Sequence, residues 1–244
     1  MRLIVCNSGS DGNTYLLNSN TDCVVLDCGV DLKTVKRTLN FKINHIKFVL
    51  CTHKHIDQSK HIKEYLKMGI KVFMPEQVKE EYENYSCAIS VQPMKKICCG
   101  KFTITPFEVP HDEGVDCYAY IIEHNDLGKL LYMTDCMYCK YNLNKMKINH
   151  FLCECNYQQE LVSRDLPNYE HKIRGHCSLD TCKNFIQVNK SENLKTVLLL
   201  HMGADTCNPM ECVEEVQEIV GDNVYVNYAR KGLEVELKEN GCPF

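Results

Sequence analysis

His53, His55 and Asp57 occupy alternate positions in the stretch KFVLCTHKHIDQSKH, residues 47–61. Two imidazoles and a carboxylate are ligands that a borderline divalent cation takes. For them to converge, the chain must turn tightly between two regular elements, and both flanks read as such. The apolar run Phe48-Val49-Leu50-Cys51 has strand length and ends at Thr52. The polar cluster after it opens a helix whose first turn Asp57 or Ser59 can cap. A polar loop with incidental histidines would have the same composition, so the metal reading rests on whether further ligands occupy equivalent places.

They do. Residues 101–109 alternate as a strand and run into Pro110-His111-Asp112. Residues 129–133 end at Thr134-Asp135, and residues 195–200 end at His201. Four strand ends carrying metal-type ligands predict one mouth along the edge of a β-sandwich. The other elements are placed by the same patterns. Residues 3–5 form a first strand leading into the turn-forming stretch 7–13, and residues 15–17 and 23–26 form a hairpin-like pair closed by Asp27-Cys28-Gly29. Residues 31–39 read as an amphipathic helix with Leu32, Val35 and Leu39 on one face, and a second helix runs through Ile62, Tyr65, Leu66 and Met68 to stop at Gly69. A strand at 70–73, a helix at 75–82, an antiparallel pair at 117–123 and 129–133, and a strand at 151–155 follow. No linker, repeat or low-complexity tract interrupts the chain, which predicts a single domain over residues 1–244.

Thr52-His53-Lys54-His55-Ile56-Asp57-Gln58 resembles the His-x-His-x-Asp-His motif of the metallo-β-lactamase fold superfamily, with Gln58 in place of the last histidine. The likeness extends to the Gly-Ser-rich stretch 7–13, to Asp27-x-Gly29, to Val109-Pro110-His111 and to Tyr132-Met133-Thr134-Asp135, all in family order. The branch it resembles is the WalJ/YycJ-like one, of small metal-dependent phosphodiesterases. The resemblance implies an α/β fold, an αββα sandwich of two mixed β-sheets flanked by helices. It also implies two divalent metal ions, zinc or manganese: His53, His55 and His111 hold one, Asp135 bridges, and Asp57 with His201 holds the other. Asp27 is implied to orient the metal loop from behind, while Ser8 and Ser10 wall the substrate side. An amide is a poorer ligand than imidazole, so Gln58, should its oxygen ligate at all, leaves a weak, oxygen-leaning second site that suits manganese or a labile zinc, or a single tight metal. His61, one turn after Asp57, reads as an exposed helix residue, and His45, His124, His150 and His171 as solvent-facing.

A second stretch concerns substrate. Glu154-Cys155-Asn156-Tyr157 follows a strand, and Lys172-Ile173-Arg174-Gly175-His176-Cys177 precedes Ser178, the N-cap of a helix over 179–188. Backbone donors, His176 and the charges of Lys172 and Arg174 make a phosphate-binding corner. The stretch resembles the branch's Glu-Ser-Asn-His and Gly-His-Leu-Ser-Asn motifs, with Cys155, Tyr157, Cys177 and Asp180 as departures. Asn156, Lys172, Arg174 and His176 are thus expected to bind substrate. Asp57 is expected to orient or deprotonate the attacking water, and His176 to contact the phosphate or protonate the leaving oxygen.

Composition bounds the partners. Of 244 residues, 25% are charged and 44% hydrophobic, with a net charge of −4, so no global basic footprint for nucleic acid exists. No apolar run approaches the roughly eighteen residues of a membrane span. Seventeen cysteines without a secretory leader suggest free thiols in a reducing cytoplasm, and Cys136-x-x-Cys139 has no second pair to close a zinc site. The expectation is a cytoplasmic DNA or RNA nuclease, with oligomeric state open and a homodimer allowed. A cyclic-nucleotide phosphodiesterase suits the acidic charge better. Gln58 leaves room for a protein that binds without turnover.

Overall fold

The computed structural model describes residues 1–166 and 169–238. Its strands form two seven-stranded sheets. The first has the order β14-β1-β2-β3-β4-β5-β6, with β1 (Arg2–Asn7), β2 (Thr14–Asn18), β3 (Cys23–Leu26), β4 (Ile46–Leu50), β5 (Val72–Met74), β6 (Ala88–Ser90) and β14 (Glu234–Glu236). The second has the order β13-β12-β11-β10-β9-β8-β7, with β7 (Ile97–Cys99), β8 (Phe102–Glu108), β9 (Tyr118–His124), β10 (Gly128–Met133), β11 (His150–Glu154), β12 (Thr196–Leu200) and β13 (Tyr225–Tyr228). Both sheets are mixed: β3 to β6 and β10 to β13 are parallel runs, and the remaining neighbours are antiparallel.

Helices cover the outer faces: α1 (Leu32–Thr38), the single turn α2 (Ile56–Ser59), α3 (Ile62–Lys67) and α4 (Glu76–Lys79) lie along the first half of the chain. In the second half are α5 (Tyr169–Gly175), α6 (Leu179–Asn189) and α7 (Pro209–Val220). Side-chain alternation sorts the apolar residues into three layers. Leu3, Tyr15, Phe48 and Leu50 of one sheet meet Phe102, Tyr120, Tyr132 and Leu198 of the other between the sheets. Val25, Val49 and Cys51 face Leu32 and Val35 of α1 and Ile62 and Tyr65 of α3. Phe151, Val197 and Leu199 face Phe185 and Ile186 of α6 and Cys212 and Val216 of α7. This is the αββα sandwich expected.

The topology explains the common edge. β10, β11 and β12 are parallel, and β8 runs the same way because two antiparallel pairings separate it from β10. Their carboxyl ends therefore open on one side, where the crevices of α/β sheets collect functional groups. Asp27, Asp135 and His201, one residue or two past β3, β10 and β12, all adopt left-handed backbone, with φ of 58°, 51° and 48°. Such turns are costly for residues with a Cβ and mark places where surrounding structure fixes the chain.

Three details differ from the sequence reading. The helix after the metal loop breaks into α2 and α3 at Lys60–His61, and neither Asp57 nor Ser59 caps it: His55 is the N-cap residue, without a side-chain bond, and Ser59 Oγ donates to the carbonyls of Lys54 and His55. His124 and His150 are buried, not solvent-facing, because each packs at a strand terminus inside the second sheet. α5 and α7 form where the sequence reading placed no element, although Asn208-Pro209 is a helix start, with Asn208 Oδ1 accepting from the Met210 amide at 3.2 Å.

Candidate metal and substrate site

His53, His55 and His111 meet as three edge-to-face rings with centroids 4.6, 4.7 and 4.9 Å apart. Each is oriented from its far side. His53 Nδ1 lies 3.1 Å from Thr52 Oγ1, and Thr52 donates its amide and hydroxyl to Asp27, which also accepts from the Tyr132 hydroxyl. His111 Nδ1 lies 2.6 Å from the Gly175 carbonyl at the end of α5, and His55 Nε2 lies 3.6 Å from Asp112. His53 Nε2 is buried and has no hydrogen-bond partner among the described residues. A buried imidazole nitrogen without a hydrogen-bond partner, set beside two other rings, fits the role of a cation ligand. Burial, reinforced by the neighbouring rings, pushes His53 well below its ordinary value, which keeps it in the neutral form that ligates.

Beside the rings lies a second cluster in which Asp135, Glu154, His176 and His201 offer ligand atoms within 4.8 Å of one another. His201 Nδ1 is 2.7 Å from Asp135 Oδ1, and its Nε2 is 3.8 Å from Asp57. His176 Nδ1 is 2.6 Å from Glu154 Oε1 and 3.4 Å from Asp135. Gln58 donates from Nε2 to Asp135 at 2.5 Å and to Asp57 at 3.2 Å, while its Oε1 is buried without a partner among the described residues. The amide thus stands between the two carboxylates as a neutral donor. Burial and then the Asp135 carboxylate push Asp57 up to about 6, and Asp135, against the cost of its burial, is held well below the usual carboxylate range by His201.

The loop bearing Asp57 is clamped by the Gly-Ser stretch. Asn13 donates its amide to the Asp57 carbonyl at 2.7 Å and its side chain to Asp57 Oδ2 at 3.1 Å, and the Cys28 amide donates to the Gln58 carbonyl at 2.6 Å. A Cβ on Gly29 would sit 1.9 Å from the Asp57 carbonyl oxygen, so only glycine permits this approach.

A cavity of about 450 Å³ opens over both clusters, lined by Ser8, Ser10, His55, Asp57, Asp135, Asn156, Lys172, His176 and His201 among others. Ser10 is exposed on its wall. Ser8 and Asn156 have their polar atoms engaged in holding His201: Ser8 Oγ accepts the His201 amide at 3.0 Å, and Asn156 Nδ2 donates to the His201 carbonyl at 2.8 Å. Lys172 Nζ donates to Asn156 Oδ1 at 2.7 Å and puts its charge on the cavity wall. Arg174 is not brought in: its side chain is 79% exposed and pairs with Glu170 one helical turn back, because residue 174 faces away from the cavity on α5. His61 pairs with Glu64 at 2.7 Å.

Three residues at the site escaped the sequence reading. Glu154 accepts the Cys136 amide at 2.9 Å and the Cys177 amide at 3.2 Å besides facing His176. Its position at the end of β11 is the same signal that singled out Asp135 and His201. Asp112, and His171 at 3.2 Å from it, border His55 at the mouth, and no local motif marks His171.

A layered αββα fold with histidines and carboxylates gathered on the carboxyl edge defines a class, and the sequence places the chain within it. Residues 23–160, more than half of the chain, match the beta-lactamase superfamily domain, and the protein belongs to that family. No curated protein matches it in sequence. Among solved structures it is similar to the metallo-beta-lactamase fold protein YhfI from Bacillus subtilis, with TM-score 0.74, 18% identity and coverage of 96% of this chain and 99% of that one. Human tRNase Z, short form, superposes with TM-score 0.68, 12% identity and coverage of 97% and 99%. A diphosphatase from the PhnP family does so with TM-score 0.66, 16% identity and coverage of 96% and 97%. Identities this low carry the fold alone.

Proposed function

We propose that the protein is a metal-dependent phosphodiesterase, a DNA or RNA nuclease of the WalJ/YycJ-like kind. The observation that carries this reading is the placement of three convergent histidines, one with an unpartnered buried nitrogen, beside a carboxylate–histidine cluster on the cavity wall that also bears Lys172. Structural likeness to a tRNase Z and to a PhnP-family diphosphatase supports a phosphorus-centred substrate. The residues present fit a cation: neutral imidazoles on one side and crowded carboxylates on the other. His53, His55 and His111 would hold one divalent ion; Asp57 and His201 would hold a second, with Asp135 between them. Two such ions supply an activated water and offset charge on the phosphoryl oxygens.

The chain's own residues do the rest. Asp57, held at Oδ2 by Asn13 and Gln58, orients the water and takes its proton on the carboxylate. Glu154 keeps the proton on His176 Nδ1, which leaves Nε2 to meet the phosphate or to protonate the leaving oxygen. Burial disfavours a charged His176, but Glu154 and then Asp135 outweigh it and raise its basicity, which suits a proton donor. Lys172 binds a phosphoryl oxygen, and Ser10 borders the same wall.

A second reading, a phosphodiesterase for small cyclic nucleotides, draws on the cavity itself. At about 450 Å³, with Lys172 the one lysine or arginine among its described lining residues, it is small and weakly basic for a long strand. Purified protein loaded with manganese or zinc, offered bis(p-nitrophenyl) phosphate, short DNA, short RNA and cyclic nucleotides side by side, tests both. Preferential oligonucleotide cutting supports the first reading and preferential cyclic-nucleotide opening the second. If all four stay intact, the phosphodiesterase reading falls and a binding role without turnover remains.

A further inference from the structure

Behind the cavity wall, in the core layer under α6 and α7, the Sγ atoms of Cys155, Cys207 and Cys212 lie within 4.8 Å of one another, all in buried residues. A fourth thiol, that of Cys182, is in hydrogen-bonding contact with Cys155. The four come from separate places: the residue after β11, the first turn of α6, the irregular segment after β12, and the first turn of α7. Nothing in their spacing announces this, since no two belong to a Cys-x-x-Cys pair.

We propose that Cys155, Cys182, Cys207 and Cys212 form a tetrathiolate site for one structural zinc ion. Thiolates bound to one zinc at about 2.3 Å are about 3.8 Å apart, so Cys155, Cys207 and Cys212 close on an ion with side-chain adjustments of about 1 Å, and Cys182, which stands outside their 4.8 Å group, completes the site by turning its side chain towards them. Binding balances simply: each thiol proton leaves to solvent as its sulfur–zinc bond forms. The protein alone pushes each of these four thiols above its ordinary value, so the negative charge that results is offset by the ion itself and, in part, by two helices. Cys182 and Cys212 each occupy the fourth position of a helix, of 11 and 12 residues, whose N-cap side chains, Ser178 and Asn208, are both in place. Two helix N-termini therefore direct their positive ends towards the sulfurs. Packing alone would be served equally by alanine or valine, and a disulfide would use two of the four sulfurs and require an oxidant.

The ion has a structural task. Residues 201–208 have no regular secondary structure, yet they carry His201 and bury Thr206 and Cys207. Cys155 lies between Glu154 and Asn156, which face the cavity edge. Tying Cys155 and Cys207 to two helices fixes both strand-end segments from behind. The proposal does not depend on the phosphodiesterase reading.

Cobalt replacement provides the test. Wild-type protein grown on cobalt should show thiolate-to-cobalt charge-transfer absorption of a tetrahedral site, and zinc-grown protein should yield one zinc per chain that is released on titrating its thiols with a mercurial. The His53→Ala/Asp135→Ala variant should retain that one zinc. Cys212→Ser and Cys207→Ser should each lose the charge-transfer band and one equivalent of zinc, whereas Cys117→Ser, which alters the thiol 3.8 Å from His53, should keep both. Absence of the band in wild-type protein, its persistence in Cys207→Ser and Cys212→Ser, or a Cys155–Cys207 disulfide in freshly isolated protein would overturn the proposal. The wild-type spectrum decides even if a cysteine variant fails to fold.

Discussion

His150 and His201 sit at opposite ends of neighbouring parallel strands and are both buried, at 0% and 5% exposure. His150 begins β11, where its Nε2 lies 3.1 Å from the Leu127 carbonyl, and burial pushes it down to about 4. His201 follows β12; burial disfavours its charge too, but Asp135 and then Glu154 and Asp57 carry it up to about 9. Burial sets only the penalty, and the carboxylates gathered at one end of the sheet decide the outcome. One edge is thus neutral packing, and the other concentrates charge that the fold alone leaves poorly balanced.

The comparison breaks most sharply at Asp135. Asp135→Ala should abolish phosphodiester hydrolysis, because loss of several kcal/mol of charge stabilisation corresponds to about 10³-fold or more in rate. It should also lower metal content by more than one site's share. Two retained metals and near-normal turnover would remove Asp135 from between the sites.

At the neutral edge the expected effect is on stability. His150 has a folded pKa of about 4, below its unfolded value of about 6.5, so the unfolded chain binds the extra proton first. Stability is therefore unaffected above about pH 6.5 and declines as pH falls towards 4, by up to about 3 kcal/mol from this group. His150→Asn should flatten that part of the profile in denaturant titrations between pH 7 and 4. An unchanged slope would show that His150 is not held neutral.

Gln58 tests the charged edge more finely. Its amide bridges Asp57 and Asp135 as a donor, so Gln58→His should replace a weak partner with a nitrogen ligand. Zinc affinity at the second site should rise about tenfold, and more than manganese affinity. Equal affinities in the two proteins would mean that residue 58 only braces the loop. The smallest effect is expected from Ser8→Ala, which removes the hydroxyl accepting the His201 amide. Loosening a ligand's support should lower kcat by roughly tenfold or less with KM little changed. A large rise in KM would instead make Ser8 a substrate contact.

How much was legible follows from these particulars. The convergence of the 52–58 loop was legible because its metal-type side chains lie close together in sequence, and that of His111, Asp135 and His201 because each follows a readable strand. Glu154 obeyed the same rule and could have been found by applying it to β11. Arg174 misled because a basic residue two positions from His176 was read without the helix that turns it outward. His124 and His150 were misjudged because polarity alone does not reveal a strand terminus buried in a sheet. The thiol cluster was invisible because Cys155, Cys182, Cys207 and Cys212 become neighbours only once α6 and α7 pack on the sheet. The left-handed backbone at Asp27, Asp135 and His201 has no local sequence signal either.

The most direct test is to strip the protein of metal, return manganese or zinc stepwise, and follow bis(p-nitrophenyl) phosphate hydrolysis with binding in the same samples. The account predicts no hydrolysis without metal, recovery as the ions bind, and no recovery in His53→Ala or Asp135→Ala. Full hydrolysis by the stripped protein, or metal-dependent hydrolysis undiminished in both variants, would contradict it.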